Sequence, residues 1–341
     1  METDRINFNK QYIKVIANEV NNDLRNFKKI FYILIILIIL LNVSSFLFLY
    51  FHDKESRKNL YISNPMKSKY NFAKYEKNCI FAKNKLKNRI KPLDFENELL
   101  FFIDLIVCKI PFSFIRFADG ENAIMKGLKL TPRETIDKWN FNPSNKNFQN
   151  SLIESSSICM NPNSFIGLPC KNWIEISNSI LSFSNCSSAK YMSYSTLFVN
   201  KNFPIFKDWI IDFINSSNRW KIILVANSII GTNITWAYKF FPIPVDLVGY
   251  WEKYSINLLS ELSKEAKNNN LIFFISAGPA SNIIISYLTK INNKNQYIDF
   301  GSSIEFITKG YSTRPYSKND KSSQKSCESF FLRNRTIFYQ R

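Results

Sequence analysis

Two carboxylates stand one residue apart at Asp119 and Glu121, with Gly120 between them. They follow the apolar, β-favouring segment Phe112–Phe117 and precede a short predicted helix that ends before Gly127. The glycine permits a tight strand-to-helix turn, so both side chains can point at the same place. Carboxylate oxygens are the ligands that Mg²⁺ and Mn²⁺ prefer in proteins. The turn therefore predicts a divalent-metal site at Asp119 and Glu121.

The acidic pair also has an ordinary structural explanation. Acidic side chains are favoured in the first turn of a helix, and a chain with 27 Asp and Glu residues contains such triplets by chance. The single histidine, His52, adjoins an apolar segment, which disfavours a Ser-His-Asp triad, a Cys-His dyad and a histidine-ligated zinc site. Acid–base or metal chemistry must then come from other side chains, which favours the carboxylates.

The composition excludes a wholly disordered chain and indicates anionic partners. Of the 341 residues, 45% are hydrophobic and 16% aromatic, enough for one large or two small α/β domains. The formal net charge of +18 favours phosphate-bearing substrates, nucleic acid or an acidic lipid surface. The six cysteines include no Cys-x-x-Cys pair, so they are either core thiols or disulfides whose pairing the spacing does not decide.

The N-terminal part of the chain contains a candidate membrane span. Residues 30–51, after a short polar tail at 1–29, form an uncharged apolar run long enough to cross a bilayer as a helix. A cleaved signal peptide and a buried core helix are the alternatives. Basic residues are nearly balanced on the two sides of the run. We expect a single-pass, type II protein whose domain is lumenal, in a compartment such as the endoplasmic reticulum or Golgi if the source is eukaryotic.

A basic stalk at residues 52–91 is predicted to precede a folded domain at 92–341. The stalk contains 12 Lys or Arg and 3 acidic residues. A solvated linker is favoured over a nucleic-acid or anionic-lipid site because no interleaved aromatic platform accompanies the charge.

Within the predicted domain, apolar strands alternate with helices. Strands are predicted at 112–117, 165–168, 190–198, 221–226, 245–248, 271–276 and 297–300, helices at 94–110, 121–126, 173–183, 203–214, 256–267 and 281–290, and a loop at 140–150. This alternation predicts an α/β fold with a largely parallel sheet covered by helices on both faces. Ligands of such sheets sit at the carboxyl ends of strands, and neither a G-x-G-x-x-G nor a P-loop motif occurs.

The segment Ser113–Glu121 (SFIRFADGE) resembles the S-[FL]-I-R-[FY]-G-D-G-E signature of the GT-D type glycosyltransferases, a family formerly described as a domain of unknown function. Downstream, Leu271–Leu288 with its Gly-Pro turn, and Tyr297–Gly301, resemble the last βαβ unit of that family. The resemblance extends over residues 99–316. Ala118 stands where the family usually has glycine, and the segment after Gly301 lacks the histidine of bacterial members.

The resemblance implies a Rossmann-like domain that binds a nucleotide-sugar donor with Mn²⁺ or Mg²⁺. The family's Asp-x-Glu motif falls on Asp119 and Glu121, which are then both catalytic and metal-binding. We assign Arg116 to positioning or to phosphate charge, with a salt bridge to one of these carboxylates as the alternative. The backbones of Gly120 and Gly278 are assigned to close approach by the donor.

An inverting transferase also needs a base near the acceptor hydroxyl. The candidate bases are carboxylates near predicted strand ends: Asp246, Glu252, Asp299 and Glu305. Each of them also has an ordinary structural explanation. Arg314 is a candidate phosphate contact, with a surface arginine as the alternative.

These observations predict a membrane-anchored, metal-dependent glycosyltransferase, specifically a hexosyltransferase. The expected donor is a UDP-sugar, the acceptor a glycan or glycoconjugate, and the contact with the lipid bilayer is through residues 30–51. No nucleic-acid partner is expected. The alternatives are a metal-dependent phosphodiesterase or nuclease, and a catalytically inactive, membrane-tethered binding protein.

Overall fold

The computed structural model describes residues 79–130, 139–216, 219–227 and 234–310, together with residues 312, 314, 316 and 327. The chain divides into two units after residue 66, and every described residue belongs to the second. The predicted tail, the candidate span at 30–51 and the stalk as far as residue 78 lie outside the described residues. In the part of the chain that is described, no helix is both long and apolar enough to span a bilayer.

Seven strands of the described part form one sheet, and every neighbouring pair in it is parallel. They are β1 (Phe112–Arg116), β2 (Ser164–Leu168), β3 (Met192–Tyr194), β4 (Lys221–Ala226), β5 (Lys239–Pro242), β6 (Leu271–Ser276) and β7 (Gln296–Asp299). Their order is β3-β2-β1-β7-β6-β4-β5, so the first and the last of these seven strands lie side by side in the middle of the sheet. The predicted α/β fold with a parallel sheet is confirmed.

Helices cover both faces of this sheet. The helices of the described part are α1 (Cys79–Lys87), α2 (Phe95–Val107), α3 (Asp119–Met125), α4 (Lys146–Ser155), α5 (Ile174–Phe183), α6 (Phe203–Asn215), α7 (Trp251–Ala266), α8 (Ala280–Ile291) and α9 (Glu305–Thr308). One apolar core lies under α1, α2, α6 and α9, and the other under α3, α4, α5, α7 and α8. On β1, Phe114 enters the first core and Ile115 the second. Because both faces are buried, the strands read as continuous apolar runs.

Three local predictions differ from the structure. The strand predicted at 245–248 is wrong, since these residues form a turn and the edge strand is β5, which ends three residues before position 245. The predicted loop at 140–150 contains the start of α4, where the Asn145 side chain accepts a hydrogen bond from the Phe148 N–H at 3.1 Å. Of the strand predicted at 190–198, only β3 is extended.

All six cysteines of the chain form disulfides, which decides between the two alternatives that the spacing left open. The pairs are Cys79–Cys108, Cys159–Cys186 and Cys170–Cys327. The first attaches α1 to the end of α2. The third closes the longest loop, 157 residues, and fastens a C-terminal residue to the segment that follows β2.

A buried ion pair holds the edge strand β3 in place. Arg89 and Glu98 form two hydrogen bonds of 2.6 and 2.9 Å, and both side chains are almost fully buried. The Arg89 guanidinium also donates to the carbonyl of Met192 at 2.9 Å, while the Ser193 hydroxyl donates to Glu98 at 2.7 Å. These contacts satisfy the buried charges and fix the position of β3, and so of Ser195 just beyond it.

Candidate active site

The turn that carries the two carboxylates lies at the carboxyl end of β1. Helix α3 begins there, with Asp119 as its first residue and Glu121 in its first turn. Asp119 is exposed to solvent, whereas Glu121 is 7% exposed and its Oε2 accepts a hydrogen bond from the Ala118 N–H at 2.9 Å. One carboxylate therefore faces outward, and the other is folded back against the start of its own helix.

The buried carboxylate has an unusual pKa. Burial raises the pKa of Glu121 from its ordinary value of 4.5 to about 7, and the backbone N–H groups of Glu121 and Ala118 oppose that rise. The negative charge of Asp299 raises the pKa further, and the positive charge of Arg116 lowers it. Glu121 is thus electrostatically coupled to groups at the ends of β1 and β7.

Replacing Glu121 by glutamine is expected to change how stability depends on pH. Because the folded-state pKa lies above the ordinary value, folding takes up a proton between pH 4.5 and 7, and the stability of the wild type falls as pH rises through that window. We expect the unfolding free energy of Glu121→Gln, relative to wild type, to rise by about 2.5 kcal/mol from pH 5 to pH 8. Urea unfolding in chelator-treated buffer measures this difference, and a constant difference across the two pH values would contradict it.

An ion pair joins the ends of β1 and β7 beneath this turn. Arg116 Nε lies 3.1 Å from Asp299 Oδ2 and its Nη2 3.4 Å from Oδ1, while Nη1 donates to the Ser195 carbonyl at 3.0 Å. The Arg116 side chain is 17% exposed and that of Asp299 5%. Burial raises the pKa of Asp299, and the Arg116 guanidinium opposes the rise. The partner of Arg116 is thus a residue that the sequence suggested only as a base.

A glycine makes room for this ion pair. Gly301 follows β7 with a φ of +50°, and a Cβ at that position would lie 1.7 Å from Arg116 Nη2. Its N–H donates to Asp299 Oδ1 at 2.9 Å. Position 301 therefore requires glycine both for its left-handed backbone and for the space that the guanidinium occupies.

Helix α8 fixes the backbone at the end of β1. The Asn282 side-chain amide donates to the Arg116 carbonyl at 2.7 Å, and its oxygen accepts from the Arg116 N–H at 3.2 Å. Asn282 and the neighbouring Ser281 are fully buried, and the Ser281 hydroxyl accepts from the Ala277 N–H at 2.9 Å. Sequence reasoning missed Asn282. The available signal was a pair of polar residues in the first turn of the helix, just before an apolar run of three isoleucines.

A tryptophan lies across two glycine turns of the site. A Cβ at Gly278 would lie 2.6 Å from Cε2 of the Trp139 indole, and one at Gly120 would lie 3.0 Å from its Cζ3. The residue after this tryptophan is braced by Asp246, whose Oδ1 accepts from the N–H groups of Asn140 and Gly249, both at 2.9 Å. Asp246, a candidate base from sequence, thus holds the loop beside Trp139, which sequence reasoning did not identify.

The other predicted residues lie around the end of β7 and on α7. Glu305 Oε1 accepts from Lys309 at 2.8 Å. Arg314 is electrostatically coupled to Tyr316, whose hydroxyl lies 2.8 Å from Ser302 Oγ and whose pKa burial raises to about 12. Glu252 lines a polar cleft of about 340 Å³ with residues 144–147. The structure therefore couples Glu121, Arg116 and Asp299 electrostatically, whereas Glu252 lines a cleft to which none of these three residues contributes.

The donor set fits a divalent cation that shares its coordination sphere with a substrate. Among the described residues, no group of three or more His, Cys, Asp or Glu side chains is placed to hold a metal ion. Mg²⁺ is commonly bound through one or two carboxylates, with waters and substrate phosphates completing its coordination. The exposed Asp119 suits that role, and Glu121 has one oxygen committed to the Ala118 N–H.

No protein-family model and no curated protein matches this chain. Two solved structures are similar to this chain, each with a TM-score of 0.43 over 67% of this chain and 84% of the neighbour. Both are the same domain. One, 18% identical, is described as the selenomethionine-substituted structure of domain of unknown function 1792. The other, 19% identical, is described as showing that this highly conserved domain has a distinct glycosyltransferase fold.

Proposed function

We propose that this chain is a membrane-anchored glycosyltransferase that moves a hexose from a nucleotide-sugar donor, expected to be a UDP-sugar, to a glycan or glycoconjugate. The observation that carries the proposal is the turn at the carboxyl end of β1. There, the exposed Asp119 stands beside the buried Glu121, and the Arg116–Asp299 ion pair lies beneath them. Ligands of parallel sheets bind at this edge.

Sugar transfer from a nucleoside diphosphate leaves an anionic diphosphate whose charge must be stabilised. Asp119, with Glu121 as the nearest second carboxylate in sequence, would hold Mn²⁺ or Mg²⁺, which supplies Lewis-acid stabilisation of that leaving group when bound. Arg116 is held in a fixed position at the end of β1. Asp299 and the Ser195 carbonyl bind its guanidinium, and Asn282 binds its backbone. These contacts fix the position of the guanidinium and of the backbone at the end of β1, from which the carboxylate turn continues.

Three of the candidate bases differ in how many hydrogen bonds and ion pairs their carboxylate oxygens already form. Asp299 is paired with Arg116, and Asp246 accepts two backbone N–H groups. Glu305 bonds Lys309 through Oε1, while its Oε2 is buried with no hydrogen-bond partner among the described residues. Asp299 and Asp246 are thus committed to structural contacts, whereas Glu305 keeps one oxygen, itself buried, outside any such contact in the described part of the chain.

The disulfides support a compartment for the proposal. Three disulfides in one domain are typical of an oxidising environment such as the secretory lumen or the cell exterior. This supports the type II arrangement proposed from the sequence, in which residues 30–51 anchor the chain and the domain is lumenal.

The test uses the full chain in mild detergent with a panel of UDP-, GDP- and CMP-sugars and Mn²⁺. We expect one donor to release its nucleotide, and chelator to stop the release. Asp119→Asn should lower turnover about a hundredfold, because the exposed carboxylate at the turn is lost while the buried core is untouched. Asp208→Asn, an exposed aspartate on α6, is the matched control and should retain activity.

Two results would contradict the proposal. Metal-dependent cleavage of nucleic acid or of simple phosphodiesters, without binding of any nucleotide sugar, would favour the nuclease alternative. A folded protein that neither binds nor turns over any donor on the panel would favour a binding protein. Unfolding midpoints of wild type and Asp119→Asn establish that both are folded.

A further inference from the structure

Trp139 occupies an unusual position for a tryptophan. Its indole lies against the turn after β1 and the turn after β6, at the two glycines where no Cβ stands in the way. One end of the ring, including Nε1 and Cε2, faces Gly278, and the opposite edge, with Cζ3 and Cε3, faces Gly120. The indole therefore spans the gap between two strand ends at the edge where parallel sheets bind their ligands.

The side chain is held in place without being buried. The next residue, Asn140, donates its N–H to Asp246, and Phe141 beyond it is fully buried against Phe148, with ring centroids 6.1 Å apart. Trp139 itself is half-buried, in contrast to the core residue Trp209, which is fully buried. The indole thus packs against the glycine turns and the second apolar core, and part of its surface stays exposed to solvent.

We propose that Trp139 is the nucleobase platform of the donor site, an inference that rests on the proposed function. A partly exposed aromatic face supported from below is the surface on which planar rings stack. Gly120, which the indole touches, is flanked by Asp119 and Glu121. The site thereby offers carboxylates for the charged diphosphate with its cation, and an indole for the planar base. Asp246 is then a positioning residue, because it holds the backbone next to Trp139.

Nucleotide binding to the full chain tests the platform. Titration calorimetry with UDP, GDP and CDP in Mn²⁺ is performed on wild type, Trp139→Phe and Trp139→Ala. We expect Trp139→Ala to bind the preferred nucleotide about tenfold more weakly, and Trp139→Phe to stay within about threefold of wild type, because stacking depends on an aromatic face. Nucleotide should also quench wild-type tryptophan fluorescence, and most of that quench should vanish in Trp139→Phe. Tyr287→Ala, which removes an exposed aromatic side chain on α8, is the control and should bind as wild type does.

The outcomes separate the platform from the proposed function. If an active wild type and Trp139→Ala bind nucleotide equally well, or the variant binds more tightly, the indole is no platform. If the folded wild type binds none of the three nucleotides and turns over no donor, the proposed function itself fails, and the platform fails with it.

Discussion

Replacing Arg116 by methionine is expected to remove about 3–5 kcal/mol from the unfolding free energy at pH 8. The variant keeps the bulk of the side chain but leaves the Asp299 carboxylate buried, at 3% exposure, without its cation. A buried charge that loses its partner is far more costly than an exposed one, since water does not replace the lost interaction. Urea unfolding of the full chain, followed by tryptophan fluorescence, measures the loss.

The pH and a second substitution identify the cause of that loss. Removing the guanidinium raises the pKa of Asp299 further, so protonation should restore part of the stability as pH falls towards 5. Arg116→Met combined with Asp299→Asn should recover most of the loss, because no buried charge remains. Lys290→Met, which breaks the exposed pair with Glu154, is the control and should cost less than about 1 kcal/mol. An Arg116→Met loss no larger than this control would contradict the prediction.

Gly301→Ala should also separate the Arg116 guanidinium from Asp299, but without removing either group. Its new Cβ would lie 1.7 Å from Arg116 Nη2, so the guanidinium must leave its place without any change in the charge of the chain. The alanine also takes on a φ of +50°, which adds strain. We expect a stability loss comparable to that of Arg116→Met, with the same partial recovery at low pH.

Removal of the Cys170–Cys327 disulfide is expected to have the second large effect. In the chain-entropy description, the contribution of a disulfide grows with the loop that it closes, and this one closes 157 residues. The double variant Cys170→Ala/Cys327→Ala should lose about 5 kcal/mol of unfolding free energy. Urea midpoints of the oxidised proteins give the comparison.

The other two disulfides are controls of nearly equal loop length. Cys79–Cys108 and Cys159–Cys186 close 29 and 27 residues, and each should contribute about 3.5 kcal/mol. The expected order is therefore one large loss and two smaller, similar losses. If removing Cys170–Cys327 cost no more than the others, loop length would not govern stability here, and local contacts of each pair would have to explain the result.

The strands that the sequence predicts best are the buried ones. Lys221–Ala226 and Leu271–Ser276 are continuous apolar runs with covered faces, and their predicted bounds match β4 and β6. The edge strand β5 reads Lys-Phe-Phe-Pro and is only partly buried, so it lacks such a run. The turn at 245–248 is more apolar than β5 and is therefore predicted as the strand. An apolar run in the sequence indicates burial. It therefore misses a strand such as β5, which is paired in the sheet but only partly buried.

The residues of the candidate site also differ in how well the sequence predicts them. Asp119 and Glu121 are recognisable because their turn is local in sequence. Arg116 and its partner Asp299 are 183 residues apart, and nothing in the composition of either segment indicates which carboxylate the guanidinium meets. The same holds for Trp139, whose contact with Gly120 and Gly278 exists only once two strand ends are brought together.

The strand order also determines how long β1 lacks its second neighbour during synthesis. β1 is central, yet its second neighbour, β7, is the last strand of the sheet to be made. With Arg116 and Asp299 183 residues apart, a ribosome working at roughly 5–20 residues per second leaves one side of β1 unpaired for roughly 10–40 s. Throughout that interval the nascent chain presents an open, apolar strand edge. The emerging chain is therefore expected to depend on chaperones until its last strand leaves the ribosome.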